Sequence, residues 1–417
     1  MKMSLKQRVI FTIFLLILAR LGVFIPIPGI DHDAFYASSR TNQFINFLNI
    51  FSGGGFSTIG IFALGIVPYI NSSIIIQILV KINPYLDKLQ QEEGESGRQQ
   101  INQITRFLAF IWAVIQSISV AFWIRPYVFD WNIYFVLDTV IGLTVGSLFV
   151  MWISEIITEN GIGNGTSLLI FFNVISNLPK NTINQFIFDY HFNFKFLLKV
   201  VFLIILFVFM LILAIIMQEA MKKIKIVSAK QLNDIGSNSN FGLNTYIPLK
   251  LYQGGVMPII FASAITAIPA YLVRSFNNDI VNKLIILFLP QGPFYLPVYG
   301  ILILFFSYLY ASLIFNPSDI AKNLRKTGSS IVGVRSGPDT IVYLKTILNR
   351  LTFLGSILLF TIAIMPSIMV FFDLDVIKTV SPTSILILVG VAIQTTKQVQ
   401  TYIMSNQYDE MSNKPIK

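Results

Sequence analysis

IFALGIVPYINSSIIIQIL, residues Ile61–Leu79, carries no charged side chain and shows none of the two-residue alternation of a half-buried strand. Such a run crosses a membrane as a helix, because lipid offers no partners to backbone N–H and C=O groups and a helix satisfies its own. A continuous apolar run also argues against a β-barrel. Just upstream, FINFLNIFSGGGFSTIG (Phe44–Gly60) is apolar but short, and Gly53–Gly55 would interrupt a helix there. That pattern predicts a half-helix seated inside a bundle rather than a further span.

The same reading extends along the chain. Of 417 residues, 54% are apolar and 12% charged, and the mean hydropathy is +0.71. Soluble domains carry about 25% charged residues, so a soluble enzyme, a disordered hub and a secreted disulfide scaffold are excluded for the whole chain. The apolar content suffices for about ten spans of about 20 residues, at 7–25, 59–80, 105–124, 136–158, 165–179, 196–217, 255–273, 298–316, 351–371 and 381–401. The expectation is an all-α integral membrane protein whose spans divide five and five, as residues 1–180 and 195–417. No repeat at the level of residues links the halves. The segment 280–290, with Lys283, is too short to cross and reads as an interfacial helix.

Charge fixes the orientation. With the N-terminus inside, 21 of the 30 Lys and Arg fall on inner segments and 8 on outer ones, with Arg20 inside the first span. That asymmetry puts both termini on the cytoplasmic side or its organellar equivalent. It also accounts for the net charge of +10 without nucleic acid, and no DNA binding is expected. Arg20 reads as a side chain snorkelling to the outer interface. Two inner loops, 218–254 and 317–350, are basic and large enough to dock a partner. Their Lys222, Lys223, Lys225, Arg325, Lys326 and Arg335 either obey the positive-inside rule or form a surface for an acidic partner.

Chemistry within the spans is sparse. The chain has no Cys, and its two His, His32 and His191, cannot build a multi-His metal site, so no metal or cofactor is expected. Asp138 and Glu155 share one span but stand about 25 Å apart along it, too far for an acid–base pair. No chain of ionisable groups could relay protons, and no catalytic group suggests an enzyme. GIGNG (Gly161–Gly165) lacks the preceding strand and the Gly-Lys-Ser/Thr of a phosphate loop and reads as an inter-helix turn. Gly142 and Gly146 form a GxxxG expected to pack closely against a neighbour. A solute permease would need polar binding groups at mid-membrane, and it stands as the alternative to a channel.

Eight stretches in order resemble the SecY family, the channel subunit of the general protein translocase. They are RLGVFIPIPGI (Arg20–Ile30), NIFSGGG (Asn49–Gly55), the opening stretch Ile61–Leu79 with EGESGRQQINQITR (Glu93–Arg106), GIGNGTSLLIF (Gly161–Phe171), IPLKLYQGGVMPIIFAS (Ile247–Ser263), NPSDIAKNLRKTGSSIVGVRSG (Asn316–Gly337) and QVQTYIMSNQY (Gln398–Tyr408). The resemblance implies a clamshell of two five-span halves and a lateral gate between spans two and seven. It also implies an hourglass pore closed by a plug and an apolar ring. Motif by motif, the plug is 44–60, centred on Phe51, Ser52, Gly53, Gly54 and Gly55, and the ring is Ile66, Ile70, Ile170, Ile260 and Ile387. Asn71, Ser72, Ser73 and Gln77, with Gln116 and Tyr252, would line the gate; helix packing through the same polar residues of span two is the equal alternative.

Implied partners are a SecE-type clamping subunit, a SecG-type subunit as an optional addition, the motor ATPase SecA or the ribosome, and unfolded precursors with signal sequences. Val332 and Ser336 replace the two Pro of the family's Pro-Gly-Ile-Arg-Pro-Gly around Arg335, which loosens that loop. SPTS (Ser381–Ser384) replaces the usual Gly-Gly-Thr-Ser before Ile387, and Tyr252 stands where Asn is common. The wording LYQGGVMPIIFAS and the usage of Ile, Asn, Lys and Phe look most like the plastid-encoded branch. A thylakoid membrane with both termini stromal is the expectation, with a bacterial inner membrane as the alternative.

Overall fold

The computed structural model describes residues 4–39, 52–92, 94–188, 194–228, 245–252, 254–255, 257–263, 265–266, 287, 292, 294–371 and 382–412. Its helices are α1 (Leu5–Val23), α2 (His32–Ser39), α3 (Gly55–Thr58), α4 (Val67–Ile82), α5 (Pro84–Glu92), α6 (Gly94–Ile124), α7 (Ile133–Asn160), α8 (Gly165–Phe188) and α9 (Phe194–Glu219). After them come α10 (Tyr295–Ile314), α11 (Pro317–Lys326), α12 (Pro338–Phe371) and α13 (Pro382–Ser412). Helices thus cover nine of the ten expected spans, and residues 257–263 of the seventh are helical as far as described. Among the described residues, Gly94–Tyr127, Ile133–Asn160, Tyr295–Lys326 and Pro338–Met365 are long and apolar enough to cross a membrane. The expected interfacial helix 280–290 lies outside the described residues except Leu287.

The chain forms two compact units, Met1–Tyr190 with Ile387–Lys417, and His191–Leu386. In the first unit α1 starts on a capping box: the Ser4 hydroxyl accepts from Gln7 N–H, and Gln7 Oε1 accepts from Ser4 N–H. The second span is shorter than the apolar pattern suggested. Pro68 sits in its first turn, where a missing N–H costs nothing, and the residues just before it are turns. On α6, Ala109, Ala113, Ser117 and Ala121 bury one small-residue stripe, which lets α7 approach until Ser117 and Thr144 hydroxyls meet at 3.0 Å. Only half of the GxxxG acts as expected. A Cβ on Gly146 would collide with the Ile61 carbonyl, whereas Gly142 faces open space.

In the second unit the structure departs from the sequence reading. The two basic segments, read from the sequence only as inner loops, build a three-stranded antiparallel sheet. β1 (Met221–Ser228) lies between β2 (Tyr246–Lys250) and β3 (Ser329–Ile331). Ile224 pairs with Ile247 and Ile226 with Ile331. Pro248 is accommodated because β2 is an edge strand.

Candidate functional site

The glycine triplet after Ser52 sets the first part of the site. Gly53 (φ 68°) and Gly54 (φ 88°) take left-handed backbone that other residues avoid. The resulting tight turn starts α3, whose Phe56 N–H donates to the buried Ser52 hydroxyl at 3.1 Å. The chain then returns to the C-terminal end of α1. Ile27 N–H donates to Ile59 C=O at 3.1 Å, and Ile61 N–H to Ile25 C=O at 2.9 Å. Thr58 Oγ1 reaches Val23 C=O at 3.3 Å. Gly60 permits this approach, since a Cβ there would strike the Val23 carbonyl. The stiff IPIPG turn is therefore the template on which the segment folds.

Phe56 and Ile59 sink into one apolar cluster with Ile27, Ile30, Phe35, Ile124 and Leu143. The Phe56 and Trp123 rings lie 5.7 Å apart, and Phe35 meets Trp123 edge-on at the same distance. One cation joins this setting. Arg20 does not simply run to the interface: it is half-buried, its Nη1 donates to the Gly53 carbonyl, and its guanidinium lies 5.0 Å from the centre of the Phe24 ring. Asn173 of α8 is the second neighbour of Gly53. Sequence reasoning missed Asn173, whose only signal was a polar residue within the apolar LLIFFNVIS. Of the expected plug, Ser52 to Gly60 are as described here, and residues 44–51, Phe51 included, lie outside the described residues.

Of the five isoleucines expected in the ring, four belong to the first unit and all four are buried: Ile66 at the N-cap of α4, Ile70 in its first turn, Ile170 on α8 and Ile387 on α13. Ile260 belongs to the second unit and is half-buried.

Along α4, Ser72 is fully buried and its hydroxyl donates back to Pro68 C=O at 2.8 Å, so it serves its own helix. Asn71 and Ser73 are half-buried, and exposed Gln77 donates to Ser73 Oγ at 3.4 Å. Gln116 projects from α6, and its buried Oε1 receives no hydrogen bond among the described residues. Tyr252, in the second unit, is buried with its ring against Gly355 and its hydroxyl 3.4 Å from Ser307 Oγ.

The expected docking cations come together. Ile224, Leu249, Ile331 and Leu344 form a core beneath the sheet, into which Phe315, Ile320 and Leu324 also pack. Lys222, Lys223, Lys225, Arg325, Lys326 and Arg335 are all exposed around it. Lys223 lies over the Tyr246 ring at 5.0 Å. Gly333 (φ 80°) and Gly337 (φ 116°) bracket Arg335, whose carbonyl accepts from Thr340 Oγ1 at 2.8 Å. Elsewhere on α7, Glu155 pairs with Arg106 of α6 at 2.7 Å. Gly161–Gly165 is an inter-helix turn, with Thr158 Oγ1 accepting from Gly165 N–H at 2.9 Å. Among the described residues no cluster of His, Asp and Glu could hold a metal.

A family model described as SecY matches residues 60–396. The protein translocase subunit SecY of Pyropia yezoensis is 57% identical over 412 residues, covering 99% of each chain. Two solved structures share the fold at a TM-score of 0.62 each, over 99% of this chain and 96% of theirs. One is a SecY whose plug domain stabilizes the closed state of the translocation channel and maintains a membrane seal, 16% identical. The other is Sec61 in the canine ribosome-channel complex from the endoplasmic reticulum, 17% identical.

Proposed function

The chain belongs to the SecY family, and from that premise we propose that it is the pore-forming subunit of a Sec channel, moving unfolded polypeptides across a membrane and releasing apolar segments sideways between spans two and seven. The observation that supports this reading is the Ser52–Gly60 segment, folded back onto the C-terminal end of α1. Ile66, Ile70, Ile170, Ile260 and Ile387 form the proposed ring. A collar of branched alkyl groups gives an ion nothing in exchange for its hydration shell, so ions meet a large desolvation barrier. The same collar tolerates any peptide side chain, because apolar contact is non-directional.

A signal sequence is itself apolar and partitions into lipid once the gate helices part. Asn71, Ser73, Gln77, Gln116 and Tyr252 are the proposed gate lining; Ser72 is the weakest member, since its hydroxyl is spent within α4. The two halves proposed to open are 1–180 and 195–417. The driving force comes from partners: SecA or the ribosome on the basic platform, and a SecE-type subunit as the clamp, with a SecG-type subunit optional. The exposed cations over an apolar underside support that platform role. The canine relative was solved with a ribosome. The proposed membrane is the thylakoid, with both termini stromal.

Vesicles holding the chain, a SecE-type subunit and SecA provide the test. A precursor should become protease-protected on adding ATP, and the same precursor without its signal sequence should not. Equal digestion of both precursors with every component present overturns the reading.

A further inference from the structure

We propose that Arg20 is the latch that holds the plug shut, a role resting on the plug reading above. Arg20 is the one Lys or Arg between Val9 and Ile25 in the first apolar span, and a cation in such a segment is costly unless a specific partner holds it. The partner is the backbone carbonyl of Gly53, the first left-handed residue of the plug turn. Phe24, one turn further along α1, offers its ring face to the same guanidinium.

Gly53 is fitted to this contact twice over. Its φ of 68° suits glycine, and a Cβ there would stand 2.5 Å from Arg20 Nη1 and 2.6 Å from Asn173 Oδ1. Any side chain would pry the guanidinium off the carbonyl. The loss of an acceptor makes the contact a latch. While the plug is seated the guanidinium holds both the Gly53 carbonyl and the Phe24 ring, and once the plug leaves, this half-buried cation keeps the ring but loses its carbonyl acceptor, which favours reseating. A carbonyl acceptor, unlike a carboxylate, also leaves no buried anion behind when the contact opens.

The chain contains no cysteine, so Ser52→Cys at a position 1% exposed supplies a single thiol whose reaction with a water-soluble maleimide reports plug opening. In the reconstituted channel, Arg20→Gln is expected to raise both that labelling rate and the resting ion leak roughly tenfold to a hundredfold. Arg20→Lys, which keeps a donor, should fall between Arg20→Gln and the parent. Gly53→Ala keeps the arginine and should act in the same direction through the same contact, which guards against a fault peculiar to losing the charge. Precursor translocation should persist in all three, showing that they fold. A channel lacking residues 52–58 is the control. If that deletion leaks while Arg20→Gln and Gly53→Ala label and leak like the parent, the latch is overturned and the plug reading stands. If the deletion itself does not leak, the plug reading fails and the latch with it.

Discussion

The Ser52–Gly60 segment and the basic platform are two places where this chain departs from long helices, and they use charge in opposite ways. In the plug segment a single guanidinium is drawn inward onto a glycine carbonyl, beside backbone pairing to the IPIPG turn and a cluster of aromatic rings. On the platform six cations point outward, and the sheet beneath them is held by Leu249, Leu344, Ile224 and Ile331. Charge is thus drawn into the fold in the first region and stays at the surface in the second, where Lys223 rests on the exposed Tyr246 ring. On the proposed reading, the moving segment adds a few directional bonds, each breakable alone, to its apolar packing, whereas the docking surface rests on apolar packing.

Mutations should separate the two regimes. The largest effect is expected from Gly60→Val, because the new Cβ meets the Val23 carbonyl and the pairing of 25–27 with 59–61 must part. Hydrogen exchange at the amides of Ile27 and Ile61 should rise to that of an open loop, with the platform unaffected. Leu249→Ala removes a fully buried side chain from the platform core and should cost about 3 kcal/mol locally. Limited proteolysis within 218–254 would report it, and the plug amides should stay protected. Ser52→Ala deletes the acceptor of Phe56 N–H and should weaken α3 by about 1 kcal/mol, read as a modest rise in exchange at Phe56. Smallest for the fold, Lys223→Glu with Lys225→Glu should leave the thermal midpoint where it was. It should still weaken partner docking severalfold at low salt, and that loss should shrink as salt rises. A platform that unfolds on this charge reversal would erase the contrast.

How much of this was legible in the sequence differs between the regions for physical reasons. The spans were legible because a membrane helix must be written as one long apolar run, and the helix break at Gly53–Gly55 because glycine marks left-handed backbone. The platform cations were legible as exposed charge, but the sheet was not. Its strands are short, and β1 finds β3 about a hundred residues away, beyond the reach of local periodicity. In hindsight the alternation in KIKI (Lys223–Ile226) was its one trace. Arg20 was visible as an anomaly, yet its partner 33 residues on was not, so the general snorkelling rule missed the contact. Gly142 and Gly146 look alike in sequence, and only Gly146 has a neighbour pressed against it. The isoleucines at 66, 70, 170, 260 and 387 are indistinguishable from packing residues by composition and stood out through the family resemblance.

The most direct test of the channel itself is crosslinking from a stalled secretory precursor to photoreactive probes at Ile70, Ile170 and Ile260, with a probe at Lys414, near the end of the sequence, as the control. Adducts at all three isoleucine positions and none at Lys414 are the predicted result, since a polypeptide in transit must touch the ring. Adducts at none of the three, with motor and energy present, would contradict the channel and put a solute permease in its place.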